Sequence, residues 1–185
     1  MRKPRRDVEL DDIIAGQILG DDPDVVAVAM KMHLALEALL IEMILTFRTD
    51  DKIYKLHFPT KTEILEKQGL ISRADRAAFD RINDFRGDFA HIFAHRVTLA
   101  DALALARDLE ALGVDFSDPV DRYSEAQANE YYGGILGVLE EVSWCILFHA
   151  SQALSEAGGA RYFCGQELTA FVELHHGKVF WSVGI

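Results

Sequence analysis

The segment Arg86–His91 contains the sharpest chemical signal in the sequence, because an arginine precedes a histidine by five positions. A histidine titrates near neutral pH, so it can move a proton to or from the 2′-hydroxyl or the leaving oxygen of RNA. An arginine stays charged and can hold a phosphate through two hydrogen bonds while negative charge develops. This pair is therefore suited to cutting RNA without a metal ion, or to binding a phosphorylated ligand.

Helical geometry decides whether the two side chains can meet. An unbroken helix separates Arg86 from His91 by about 140° around its axis, with Arg86 in an apolar spine. The face opposite that spine is polar and comprises Asp84, Asp88, His91 and His95. The two residues share a site only if the helix bends or breaks at Gly87, or if a second copy of the chain supplies the matching half.

A glutamate and a histidine lie on the apolar side of the first long helix, at Glu37 and His33. A buried carboxylate is unfavourable unless it is paired, so the sequence predicts a cationic partner for Glu37 on another helix. Arg86 is the candidate partner, and such a pair would pin two helices without any catalytic role. The alternative is that Glu37 lies at a loosely packed edge and is hydrated.

Two pairs have the i, i+4 spacing of metal ligands: His91 with His95, and Cys145 with His149. Further candidate ligands follow at Cys164, His175 and His176. Cys145 and His149 lie in an apolar run that is typical of a helix core, and no glycine-rich phosphate loop, serine nucleophile elbow or EF-hand pattern occurs. We therefore expect no metal ion and no organic cofactor.

The net charge of −11 argues against a protein that coats nucleic acid unselectively, because that function depends on a surplus of lysine and arginine. The charge is uneven. Residues 48–96 contain ten Lys/Arg and eight Asp/Glu, whereas residues 100–141 contain two and ten. A local phosphate site near Arg86 is thus compatible with the composition, and a broad basic face is not.

Two cysteines without framework spacing are typical of a reducing compartment. The basic start is followed at once by acidic residues, which interrupt any secretory signal. The longest apolar segments contain charged residues, so neither resembles a membrane span. The sequence therefore predicts a cytoplasmic protein that does not bind membranes.

Helix starts are well marked. Asp22 and Pro23 form a typical helix start, and four segments resemble capping boxes, at 60–63, 72–75, 98–101 and 124–127. Glycines typical of helix ends lie at Gly69, Gly113 and Gly158–Gly159. These signals predict helices at about 24–47, 60–68, 73–94, 99–112 and 124–156, with a short one near 10–18.

The C-terminal tail differs from the rest of the chain. Residues 169–183 are rich in β-branched and aromatic residues around a His-Gly turn signal, which predicts a β-hairpin. The predicted fold is all-α: an up-and-down bundle of about five helices with a small C-terminal hairpin. Its parts are an N-terminal arm at 1–23, the bundle at 24–157 and an extension at 158–185.

Three segments resemble a known family: Leu36–Ile41, Gln68–Arg73 and Phe85–His91. They resemble the Arg-x4-His region of the HEPN superfamily and, more closely, the branch of mannitol-operon repressor-like proteins, over roughly residues 25–155. The resemblance implies a bundle that dimerises with Arg86 and His91 near the interface. In ribonuclease members these two positions form a metal-independent RNA-cleaving site, and the residue after the arginine is usually polar, whereas here it is Gly87.

Two functional hypotheses follow. The leading one is a HEPN-like homodimeric regulator that lacks a DNA-binding motif of its own and acts through a protein partner, such as a DNA-binding regulator, or through a small ligand. The competing one is a metal-independent, toxin-type endoribonuclease that binds RNA and has an antitoxin partner. In that enzyme His91 would be the general acid/base and Arg86 the phosphate clamp. The supporting residues would be Glu37, Asp88 and His95.

Overall fold

The computed structural model describes residues 23–91 and 97–159 of the chain. All regular structure in these two ranges is helical, which confirms the all-α prediction for this part of the protein. The six α-helices are α1 (Pro23–Leu45), α2 (Phe58–Lys67), α3 (Arg73–His91), α4 (Leu99–Ala111), α5 (Glu125–Tyr132) and α6 (Ile135–Glu156). Two short 3-10 helices, Asp51–Lys55 and Val120–Arg122, lie in the connections. The short helix predicted near 10–18 and the hairpin predicted at 169–183 lie outside the described residues.

Three of the four predicted capping boxes are confirmed. At the start of α3, for example, the Asp75 amide donates to Ser72 Oγ at 3.0 Å and the Ser72 amide donates to Asp75 Oδ2 at 2.7 Å. Thr98 and Ser124 cap α4 and α5 in the same way. The prediction that Thr60 starts α2 is wrong, because α2 begins at Phe58 with Pro59 in its first turn. The fixed φ of a proline favours that position.

The helix predicted over 124–156 is two helices, and this prediction is corrected. Gly133 adopts φ 73° and ends α5, and Gly134 follows at φ 112°. The axes of α5 and α6 differ by 82° across this break. Gly137 allows the close approach, since a Cβ atom there would lie 2.1 Å from the carbonyl oxygen of Tyr132. The bend therefore depends on three glycines that an uninterrupted helix would not need.

The core lies around the two long helices α1 and α6, which form the most extensive helix pair. Helices α2 and α3 pack on α1, whereas α4 and α5 pack on α6, and α3 contacts α4. The predicted apolar spine of α3 is confirmed at Phe79, Ile82 and Phe85, which are buried. Within the described ranges, no single helix has the length and apolar character of a membrane span; only the bent pair α5–α6 passes that test when taken together.

Candidate functional site

Helix α3 is continuous through Gly87 and ends at His91. Gly87 has a helical backbone, and a Cβ atom there would meet nothing within 4 Å. The bend at Gly87 that would bring Arg86 and His91 together within one chain is therefore absent. Arg86 and His91 occupy backbone positions about 140° apart around the helix axis, so one chain does not bring them to a common face. The second route to a shared site, through another copy of the chain, stays a prediction.

Arg86 instead lines an intrachain pocket between α1, the start of α2 and α3. The pocket has a volume of about 460 Å³. Its lining residues are His33, Glu37, Leu56, His57, Phe58, Pro59, Asn83 and Arg86. Five of these eight side chains are polar or charged, and they come from three separate segments of the chain. The tertiary structure therefore brings chemically active groups from three parts of the chain together in this pocket.

His33 forms the inner wall of this pocket and is 5% exposed. Its Nε2 lies 3.2 Å from Asn83 Oδ1, and its ring centroid lies 4.8 Å from that of Phe58. Because a carboxamide oxygen can only accept, this bond requires the proton on Nε2 and leaves Nδ1 as an acceptor in the neutral ring. Nδ1 is buried without a hydrogen-bond partner.

Burial lowers the pKa of His33 below its ordinary value, and the charges of Arg86 and Lys61 act in the same direction. The hydrogen bond to Asn83 and the charge of Glu37 oppose this shift in the pKa but do not reverse it. The imidazole is therefore held neutral at physiological pH. The sequence placed His33 on the apolar side of α1, but did not indicate that it shares a site with Arg86.

Glu37 has the predicted cationic partner on another helix, but the partner is Lys61 and not Arg86. Lys61 Nζ donates to Glu37 Oε1 at 2.6 Å and to the Leu56 carbonyl oxygen at 2.7 Å. Lys61 is fully buried, while the Glu37 side chain keeps 26% of its exposure at the pocket wall. The prediction that Arg86 pins Glu37 is wrong, because Lys61 already neutralises that carboxylate.

A signal for Lys61 was present in the sequence. Lys61 follows Phe58 by three positions and precedes Leu65 by four, which places it on the apolar face of α2. A lysine on a buried face requires a buried acceptor. The pattern is evident only when α2 starts at Phe58, and the predicted start at Thr60 left Phe58 outside the helix.

Arg86 has no ion pair among the described residues, and its Nε is buried without a hydrogen-bond partner. Two other arginines of α3 do have carboxylate partners. Arg76 contacts Glu66 at 2.6 Å, and Arg81 contacts Asp108 at 2.8 Å. A half-buried guanidinium without a carboxylate partner leaves the pocket with an uncompensated positive charge.

Of the other predicted site residues, the structure places only the side chain of Asp88 relative to the pocket. Asp88 lies on α3 two positions after Arg86 but is not part of the pocket lining. His91 is the last residue of α3, and the position of its side chain is outside what the structure describes. His95 lies between the two described ranges. Of the predicted supporting residues Glu37, Asp88 and His95, the described part of the chain brings Glu37 to the pocket, and the place of His95 stays a prediction.

Cys145 and His149 do not share a partner: Cys145 contacts Glu141, and His149 contacts Asp75. Cys145 Sγ lies 3.4 Å from Glu141 Oε1, and burial raises the pKa of the thiol to about 12. His149 Nε2 lies 2.8 Å from Asp75 Oδ1 and joins α6 to the first turn of α3. Among the residues in 23–91 and 97–159, no group of three or more His, Cys, Asp or Glu side chains is arranged to hold a metal ion.

No family model, curated protein or solved structure matches this chain. The pocket chemistry is therefore the guide to function. An uncompensated guanidinium can hold an oxyanion through two N–H groups, and a neutral imidazole can accept a proton or a hydrogen bond. The arrangement is suited to recognising a small anion.

Proposed function

We propose that this chain is a HEPN-like homodimeric regulator of the mannitol-operon repressor-like type, built on an up-and-down helical bundle. It would act in the cytoplasm on a protein partner, such as a DNA-binding regulator, under the control of a small ligand. An acidic protein of this kind reaches DNA through a partner more readily than by itself, because its net charge of −11 repels phosphate. Its C-terminal hairpin would extend the dimer interface or cover the end of the bundle.

The observation that carries this proposal is the uninterrupted course of α3 through Gly87. An Arg/His pair that cleaves RNA must present both side chains to one phosphate group, within hydrogen-bond reach of the reacting atoms. A helical separation of about 140° opposes that arrangement within one chain. Arg86 instead lies beside His33 and Asn83, where it can bind a ligand.

The second candidate is a metal-independent endoribonuclease whose site spans the dimer interface. Arg86 favours it through one property: the guanidinium has no carboxylate partner among the described residues, as a phosphate clamp requires. In such a dimer, Arg86 of one protomer and His91 of the other would meet across the twofold axis. RNA and an antitoxin would then be the partners.

The decisive test is RNA cleavage by the purified full chain in excess chelator, with its mass measured by light scattering. The regulator proposal predicts a folded dimer without cleavage. Cleavage that is lost in both Arg86→Ala and His91→Ala, and retained in Arg81→Ala, would overturn the proposal in favour of the enzyme. Arg81→Ala is the matched control because Arg81 lies on the same helix in an ion pair with Asp108.

Mixed dimers add a second readout if cleavage is found. Refolding equal amounts of Arg86→Ala and His91→Ala chains together gives hybrid dimers with one intact site when the site spans two protomers. That arrangement restores about a quarter of the wild-type rate, since about half of the dimers are hybrids with one of two sites. A site within one chain would restore none.

A further inference from the structure

The pocket between α1 and α3 combines one donor and one acceptor that lack partners. Arg86 Nε and His33 Nδ1 are both buried without a hydrogen bond, and both residues line the same pocket. Unpaired buried polar atoms are unfavourable, and native structures contain few of them. Two such atoms, on residues of different helices that line one pocket, are the kind of unsatisfied groups that a bound ligand can satisfy.

The charges around the pocket select an anion. Glu37 would oppose one, but its carboxylate is engaged by Lys61 Nζ at 2.6 Å. His33 is neutral, because burial lowers its pKa. Among the described residues that line the pocket, the guanidinium of Arg86 is the charge left without a counterpart. Its planar N–H fork fits two oxygens of a phosphate or a carboxylate.

The acceptor at His33 adds a second requirement. Because Nε2 carries the proton that Asn83 Oδ1 accepts, Nδ1 can only accept a hydrogen bond. A carboxylate or a doubly ionised phosphate has no proton to give, so a different group of the ligand must reach this atom. A hydroxyl group satisfies it, since its O–H donates to Nδ1 while its oxygen can accept from a neighbouring donor.

We infer that this pocket binds a small hydroxylated oxyanion, with Arg86 gripping the phosphate or carboxylate and His33 Nδ1 accepting from a hydroxyl group. Asn83 is a positioning residue, because it fixes the tautomer of His33 and does not itself need to touch the ligand. The volume of about 460 Å³ suits a molecule of this size, since ligand pockets span roughly 300–1,000 Å³. The inference names the ligand class of the proposed regulator and rests on that proposal for its biological role.

Calorimetric titration of the full chain tests this with three probes: glycerol 3-phosphate, glycerate and glycerol. Binding of either anion, without binding of glycerol, is the expected result. The two anions distinguish a phosphate from a carboxylate as the source of the charge. Glycerol that binds as tightly as the anions, or no binding by either anion to the folded protein, would overturn the inference.

Variants then assign the residues. Arg86→Gln should lower the affinity for the anion about 10-fold or more, and Arg86→Lys less, because lysine keeps the charge without the fork. Arg81→Gln is the matched control and should bind as the wild type does. Equal losses in Arg81→Gln and Arg86→Gln would contradict a specific role for Arg86. If Arg86→Gln does not fold, the comparison of Arg86→Lys with Arg81→Lys serves the same purpose.

A spectroscopic readout isolates His33. The ¹⁵N chemical shift of Nδ1 in the His33 ring should move on ligand binding, because the atom acquires a hydrogen bond that it lacks in the free protein. An unchanged Nδ1 shift at saturating anion would overturn the role of His33. Binding and RNA cleavage are separate measurements, so failure of this inference and failure of the regulator proposal are distinguishable.

Discussion

Helix α3 carries two arginines five positions apart that have opposite surroundings. Arg81 faces a groove of about 520 Å³ towards α4, which also contains Asp80, Asp84 and Asp108. Arg86 faces the pocket of about 460 Å³ towards α1, where the carboxylate of Glu37 is already neutralised. The two spaces have similar volumes, so size does not separate them.

Charge separates the two spaces. In the groove, three carboxylates share the lining with one guanidinium, which already contacts Asp108 at 2.8 Å, so an anion is repelled. In the pocket, one guanidinium has no carboxylate partner among the described residues, so an anion is attracted. A residue type therefore acquires its chemistry from the charges that line the space it faces, and not from its type or its helix alone.

The largest effect is expected from Lys61→Met. This change removes the cation from a buried pair, and we expect a loss of about 3 kcal/mol in the free energy of unfolding, at the low end for such pairs because Glu37 is partly exposed. It also frees the Glu37 carboxylate to face Arg86, so the pocket becomes like the Arg81 groove and loses anion binding. Urea denaturation and calorimetric titration measure the two effects.

The matched control for that experiment is the double variant Lys61→Met/Glu37→Leu. Replacing both charges with apolar groups leaves no unpaired charge, so we expect stability to return to within about 1 kcal/mol of the wild type. A single Lys61→Met variant as stable as the wild type would contradict the account of the pair.

Gly87→Ala should stabilise the protein by about 0.5–1 kcal/mol, because alanine favours a helix interior and its Cβ meets nothing within 4 Å. The change tests the continuity of the helix that carries both arginines. Gly133→Ala provides the opposite control: at φ 73° a side chain is strained, and we expect a loss of about 1 kcal/mol. Thermal unfolding compares the two, and a destabilised Gly87→Ala would indicate that α3 bends there.

Replacing Arg81 or Arg86 should change the free energy of unfolding only slightly, and by a different route in each case. Arg81→Ala breaks a partly exposed ion pair and should cost about 0.2–1 kcal/mol. Arg86→Ala breaks no ion pair and should change the free energy of unfolding by less than about 1 kcal/mol, through lost packing of its stem. The urea denaturation midpoints of the two variants measure these changes. A loss of several kcal/mol in the free energy of unfolding of Arg86→Ala would contradict this prediction, because it would indicate a buried partner for Arg86.

The smallest effect concerns pH. The folded state holds the pKa of His33 below its ordinary value, so the unfolded chain binds the proton first as the pH falls. Stability from the neutral ring is therefore complete above about pH 6.5 and declines below it. His33→Gln should reduce the difference in urea midpoint between about pH 5 and about pH 7.5. An unaltered pH dependence in His33→Gln would refute this assignment.

Local signals were reliable where they depend on neighbouring residues. The capping boxes at Ser72, Thr98 and Ser124 are formed as their spacing predicts, because each joins side chains and amides within one turn. The helix start predicted at Thr60 is wrong for an equally local reason, because Pro59 favours an earlier start of α2. The hydroxyl-bearing neighbour of Thr60, Thr62, instead donates to Asp80 of α3 at 2.8 Å.

Glycines were predictable at helix ends, as at Gly69 and Gly113, and less so inside a predicted helix. The sequence allows a bend at Gly87 and passes Gly133 and Gly134 as the interior of one helix. The structure keeps α3 continuous through Gly87 and breaks the chain at Gly133 and Gly134. A glycine permits a bend but does not require one, so the decision belongs to the surrounding packing. At Gly87 the backbone of α3 continues as a helix past the buried Phe85, whereas at Gly133 the chain turns through 82° so that α5 can pack on α6.

The sequence by itself determined the all-helical fold of the described part, most of its helix starts and the need for a cation beside Glu37. Those features follow from periodicity, capping chemistry and the desolvation of one carboxylate, which are local properties. Only the tertiary structure decided that Lys61 supplies the cation, and that Arg86 is therefore free beside His33. Pairing between helices depends on which helix faces meet. Glu37 and Lys61 are 24 positions apart and His33 and Arg86 are 53 apart, so no local sequence pattern specifies either contact.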